Sequence, residues 1–180
     1  VSNMKNTFYF FIASLVSISG FAETPNDWSK VYSDVKPSIP IIFSSGGLCS
    51  GALISDRQIL TAAHCVWHLR DVNVMWIENP GKYEPATTIA LDKENDIAVI
   101  ELTKPTPRKP IKILPEAETL KEGQPLATIG HPITPEPFSN PPLEINSTHL
   151  ISAGVDSKVT ERDLITDVRV CPGNSGGPAF

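Results

Sequence analysis

Ser175 stands in the run Pro172–Phe180, PGNSGGPAF, among three glycines and between two prolines. A serine hydroxyl is a weak nucleophile until a neighbouring base takes its proton. Attack on a carbonyl also needs hydrogen-bond donors aimed at the oxygen that turns negative. Glycines reach backbone conformations barred to other residues, so main-chain N–H groups in this run can turn inward. Those of Gly173 and Ser175 are the natural pair. A bare Ser-Gly-Gly reads equally well as a flexible loop. The chemistry therefore requires a base and an acid elsewhere in the chain.

Four histidines compete for the role of base. His64 stands next to last in ILTAAHC, where a strand end would hold the imidazole rigidly. His131 precedes Pro132 in a loop, and His149 lies in an alternating stretch where a structural role is the default. His68 follows His64 by four residues, a spacing that could set two imidazoles on one helical face for a metal. No glutamate lies between them and no third ligand stands at a useful spacing, so the base ranks above a metal site. The imidazole needs an acid to set its tautomer and stabilise its cation. Asp96, in ENDIAVIEL, ends a polar turn and opens a buried strand. Asp92, Glu94 and Asp163 read as solvated surface charges.

These three residues are far apart in the chain, so a fold must gather them. The 180 residues match one ordinary domain, and 41% hydrophobic against 19% charged residues is enough for a core. Seventeen prolines against eleven glycines predict turns and edges with few long helices. Residues 23–36 read as a polar N-terminal arm. Strands are expected in SIPIIF, CSGALIS, ILTAAHC, VNVMWIEN, and in ATTIALDKENDIAVIEL as two strands joined by DKEN. HCVWHL offers one helical turn. TKPTPRKP, Thr103 to Pro110, reads as a connector between two halves. Beyond it IKIL, PLATIGHP, EINSTHLISAGV and LITDVRV continue the strand pattern. The class is all-β, a sandwich or barrels. A net charge of −5 with no basic patch excludes a nucleic-acid partner.

The first residues belong to targeting. Met4-Lys5-Asn6 precedes an uncharged apolar run of 11 residues, Phe8 to Ile18, and then the small residues Gly20 and Ala22. A spanning helix needs about 20 residues. Residues 1–22 thus read as a secretory signal cleaved after Ala22, with residues 1–3 a gene-model extension and no membrane attachment of the mature chain. An interfacial anchor is the alternative. Export makes three cysteines an odd number: Cys49, Cys65 and Cys171 leave one free, paired to another chain, or missing its mate.

TAAHC (Thr61 to Cys65), NDIAVI (Asn95 to Ile100) and GNSGGP (Gly173 to Pro178) resemble the His, Asp and Ser motifs of trypsin-like serine proteases, in that family's chain order. VKPSI, ATIGHP and TDVRVCPGNSGGP bring the resemblance nearer to bacterial Deg-type and glutamyl-type secreted proteases. It implies two six-stranded antiparallel β-barrels, the first over about 37–103 and the second over about 111–180, within a protease domain of residues 23–180. It implies a secreted endopeptidase acting on polypeptides through an acyl-enzyme, with no cofactor, whose triad is His64, Asp96 and Ser175 and whose oxyanion hole is the Gly173 and Ser175 N–H pair. It also implies a Cys49–Cys65 disulfide, a cross-link that would contribute ~3 kcal/mol. Val170 falls near the floor of the specificity pocket, with Arg169 the other choice. Asn174 stands where activated zymogens carry an aspartate, and no Ile-Val-Gly-Gly start is present, so activation by N-terminal insertion is not expected. Two further strands usually follow the nucleophile turn, so the chain reads as truncated after Phe180, with the mate of Cys171 in the missing part. A secreted binding module that kept the fold and lost turnover is the alternative function.

Overall fold

The computed structural model describes residues 27–44, 47–113, 125–133, 144–152, 165–166, 168 and 170–180. The expected leader over 1–22 lies outside them. The region expected as an arm holds a helix, α1 (Trp28–Val35). The Asp27 carboxylate caps it, accepting the Lys30 main-chain N–H at 3.1 Å. Trp28, Val31, Tyr32 and Val35 recur at helical spacing, and the last three pack on Ile39 and Ile129 beside Ile77, Ile111 and Phe180. Eight residues are too few for an independent helix. That patch holds it in place.

A short 3-10 turn (Lys36–Ser38) leads into seven strands: β1 (Ile41–Ser44), β2 (Gly47–Ser50), β3 (Ala52–Leu53), β4 (Gln58–Ala62), β5 (Asp71–Met75), β6 (Tyr83–Asp92) and β7 (Ile97–Leu102). A one-turn helix, α2 (Ala63–Val66), follows β4 within the expected HCVWHL. The strands pair antiparallel in the order β2-β1-β5-β6-β7-β4-β3. The two outermost strands, β2 and β3, are separated in the chain only by Gly51, so the sheet curls nearly into a barrel. A Cβ on Gly51 would stand 2.6 Å from Ile59 Cγ2 and 2.9 Å from Ile42 Cδ1, so the bend leaves no room for a side chain. Inside lie Ile42, Leu53, Ile59, Val74, Trp76 and Ile100, all at most 1% exposed. Each contributes roughly 1.5–3 kcal/mol by leaving water.

The connector over 103–110 is irregular but fastened. Thr103 and Thr106 donate their main-chain N–H groups to the carbonyls of Pro85 and Asp56, at 3.1 and 2.8 Å. Arg108 lies 4.0 Å over the Trp76 ring. IKIL, expected as a strand, is irregular over its first three residues. The second half forms β8 (Pro125–Gly130), β9 (Glu144–Ser152) and β10 (Ile165–Thr166), in the order β10-β9-β8. The free edge of β8 pairs with the segment after Ser175: Ala127 and Ile129 donate N–H bonds to the carbonyls of Phe180 and Pro178. The class is all-β of the chymotrypsin type, as expected, with a second sheet that is not closed among the described residues. No helix among them is long and apolar enough to cross a membrane.

Candidate active site

Strand register brings the candidate base and the candidate acid together. Ala62 at the end of β4 faces Ile97 at the start of β7, so the residues just beyond this pair meet at one end of the sheet. Ala63 N–H donates to the Asp96 main-chain carbonyl at 3.0 Å. His64 N–H donates to Asp96 Oδ1 at 2.8 Å, and its ring Nδ1 lies 2.7 Å from Oδ2. Asp96 closes the charged turn with φ 55°, a left-handed conformation that aspartate tolerates better than most residues. Partial burial pushes its carboxyl up, but the bonds from the His64 main chain and ring and from Ala63 outweigh that. The group lies below the usual carboxylate range and stays ionised at neutral pH. Cys65, next to His64, is bonded to Cys49 of β2, tying α2 to the other edge of the sheet.

Ser175 arrives from the second half. Gly173 and Gly176 have φ of 99° and 79°, and neither has room for a side chain. A Cβ on Gly173 would strike the His131 carbonyl and come within 2.9 Å of Ile133 N; one on Gly176 would strike Thr61 Oγ1 and come within 2.6 Å of the Ser50 carbonyl. The turn is thus pressed against both halves of the fold. Ser50 N–H donates to the Ser175 carbonyl at 2.8 Å. Ser175 and His64 line one open cleft of about 370 Å³, together with Leu48, the Cys49–Cys65 disulfide, Trp67 and Ile133. Among the described residues no hydrogen bond joins Ser175 to His64, and the N–H groups of Gly173 and Ser175 meet no acceptor. That leaves two donors open for an anionic oxygen.

The other candidates lie elsewhere. Val170 is 66% exposed and does not line the cleft, and Arg169 lies outside the described residues. Cys171 is exposed and unpaired among the described residues. His68 sets its ring edge-on against Trp67, 5.4 Å between centroids. His131 is fully buried with Nε2 2.9 Å from the Ile39 carbonyl, and His149 sits on β9 opposite Pro125. Ligand atoms of Cys49, His64 and Cys65 fall within 4.8 Å of one another, but both sulfurs are spent in the disulfide and neither is a thiolate. The Asn174 amide is buried, and neither its oxygen nor its nitrogen has a partner among the described residues. A neutral amide tolerates that position better than a carboxylate would. Sequence reasoning passed over Ser50, a buried serine in CSGALIS. Its one signal was its place beside Cys49.

Comparison with known proteins adds a second line of observation. The sequence profile of the trypsin family matches residues 31–180. A probable periplasmic serine endoprotease, DegP-like, from Halomonas elongata is 32% identical over 142 residues, which cover 74% of this chain and 27% of that protein. The chain thus spans about a quarter of that relative's length. The crystal structure of a serine endoprotease from Yersinia pestis superposes with a TM-score of 0.68 at 21% identity, over 87% of this chain and 54% of that one. Deg5 superposes with a TM-score of 0.66 at 19% identity, over 84% and 78%. At those identities the likeness concerns the fold.

Proposed function

The chain belongs to the trypsin family of serine proteases, near the Deg type, and from that premise we propose that it is an exported endopeptidase whose triad is His64, Asp96 and Ser175. The family implies polypeptide substrates. The observation that carries the residue assignment is the double engagement of Asp96 by His64, main chain and ring, at the mouth of the cleft that Ser175 lines. With Nδ1 held as donor to the carboxylate, Nε2 is the nitrogen left to accept the Ser175 proton. Ser175 Oγ attacks the scissile carbonyl, and the N–H groups of Gly173 and Ser175 receive the oxyanion. His64 then protonates the leaving amine, and an acyl-enzyme on Ser175 is hydrolysed by water through the same base. The nucleophile–base hydrogen bond of such sites is often long without substrate and tightens when substrate binds.

Export rests on the leader over residues 1–22, cleaved near Ala22, and agrees with the Halomonas relative being a probable periplasmic protease. The protease domain is residues 23–180, with the connector over 103–110 between its halves. For the residue before the cut, Val170 stays the proposed specificity residue, with Arg169 the other choice, although Val170 lies outside the lining of the cleft that holds Ser175. A fluorophosphonate probe tests the central assignment by intact mass. Wild type should gain one adduct, mapped to Ser175, while Ser175→Ala should gain none and lose cleavage of casein. A chelator should leave the wild-type rate unchanged. A folded wild-type protein that takes no adduct would instead be the non-catalytic binding module.

A further inference from the structure

We propose that Ser50 is a positioning residue for the oxyanion donors, acting on the nucleophile turn from the opposite half of the fold. This rests on the proposed roles of Gly173 and Ser175. In a planar trans peptide the C=O of one residue and the N–H of the next point in opposite directions, so whatever holds a carbonyl also aims the following N–H. Four consecutive carbonyls of the turn are held. Pro172 O accepts Ile133 N–H at 2.7 Å, and Asn174 O accepts Gly177 N–H at 2.9 Å; these two peptides carry the Gly173 and Ser175 N–H groups. The two alternating with them both belong to Ser50. Its Oγ donates to Gly173 O at 2.8 Å, and its N–H donates to Ser175 O at 2.8 Å. The peptide bearing the Ser175 N–H therefore lies between two planes that Ser50 clamps.

The hydroxyl has no freedom to do otherwise. Ser50 is fully buried, and its Oγ already accepts the His131 N–H at 2.8 Å. Gly173 O can only accept, so the hydroxyl proton must point to it. The Ser50 carbonyl in turn accepts Thr61 Oγ1 at 2.8 Å, three residues before His64. Its neighbour Cys49 is bonded to Cys65, next to His64. Two adjacent residues of β2 thus reach the base side and the nucleophile side of the cleft. Removing the hydroxyl orphans Gly173 O and His131 N–H, two buried groups. The Gly173–Asn174 peptide is then held only by its N–H bond to the Cys171 carbonyl, at 3.0 Å, and the neighbouring donors lose part of their aim.

The test compares Ser50→Ala with Ser50→Thr in the full-length protein, with Ser175→Ala and Leu102→Val as controls. Ser50→Thr keeps the hydroxyl but crowds a filled site, while Leu102→Val shaves the core at the end of β7 away from Asp96. All of these except Ser175→Ala should lose thermal stability, by up to roughly 10 °C for Ser50→Ala. Rates are taken well below each Tm and normalised to folded protein. Ser50→Ala should lose about 10- to 100-fold in kcat with little change in KM, less than the 10²–10³ of deleting a donor outright. Its affinity for a peptidyl trifluoromethyl ketone, whose hemiketal oxygen occupies the oxyanion position, should fall by the same factor. The acid limb of its pH–rate profile should keep its midpoint, because His64 and Asp96 are untouched. Ser50→Thr should retain kcat within about threefold and Leu102→Val should retain it fully, despite their lower Tm. Equal kcat in wild type and Ser50→Ala, or parallel loss in all the destabilised variants, would overturn the positioning role. Activity surviving in Ser175→Ala would overturn the underlying reading instead.

Discussion

Replacing Asp96 by asparagine separates the electronic role of the acid from its structural one. Asp96 uses both oxygens: Oδ1 accepts the His64 main-chain N–H at 2.8 Å, and Oδ2 lies 2.7 Å from Nδ1. An asparagine has one oxygen to give. If its NH₂ faced the main chain, two donors would oppose each other, so the oxygen stays there and the NH₂ turns to the ring. Nδ1 must then accept, and the neutral imidazole carries its proton on Nε2. That nitrogen can no longer take the proton of Ser175. In the Ser-His-Asp template this swap costs about 10⁴-fold in kcat, or about 5 kcal/mol of barrier. Stability should hardly notice. The His64 and Asp96 side chains are 44% and 51% exposed, and ion pairs that open to solvent contribute about 0–1 kcal/mol, or a shift of less than roughly 4 °C in Tm. The assay is kcat and KM on a fluorogenic peptide beside a thermal melt. A kcat within tenfold of wild type, at intact folding, would refute the tautomer reasoning and remove Asp96 from the triad.

Other outcomes follow from the same geometry. Replacing both Cys49 and Cys65 by alanine opens a link between residues 16 apart and should cost about 3 kcal/mol in denaturant unfolding, with a fall in kcat as His64 loosens. Asn174→Asp places an uncompensated carboxylate where the amide has no partner among the described residues. Its carboxyl should titrate above the ordinary range, so the variant should melt near wild type in acid and fall away as pH rises, by roughly 3 kcal/mol or more at neutral pH. Asp96 behaves oppositely. Its folded-state value lies below the ordinary 3.8, so its contribution is complete above that value and disappears as pH falls through the lower one. The difference in unfolding free energy between wild type and Asp96→Asn should be flat near neutral pH and shrink in acid.

Most strands were legible because alternation and turn residues are local properties. DKEN between two apolar runs became the turn between β6 and β7, and the helical turn in HCVWHL became α2. The helix α1 was missed although its cap and its spacing are plain in DWSKVYSDV, because eight polar-looking residues form a helix only when a surface such as Ile39 and Ile129 receives their apolar side. IKIL failed in the opposite sense. Its composition favours a strand, yet Ile111 donates its N–H to the Leu53 carbonyl and, among the described residues, no strand pairs with the next two.

Residue chemistry and chain order were enough to nominate a nucleophile, a base and an acid, since a serine among glycines, a histidine at a strand end and an aspartate at a turn are each recognisable from their neighbours. Their meeting depends on register. One residue of slip between β4 and β7 would carry Asp96 away from His64 and turn every side chain of the strand to the other face. Ser50 shows the limit most clearly. Apart from its place beside Cys49, nothing in the residues around it distinguishes it from any buried strand serine, because its partners lie 123 positions on at Gly173 and 81 positions on at His131. Such bonds depend on directions and distances of a few tenths of an ångström, and only the packing of one half of the fold against the other sets those.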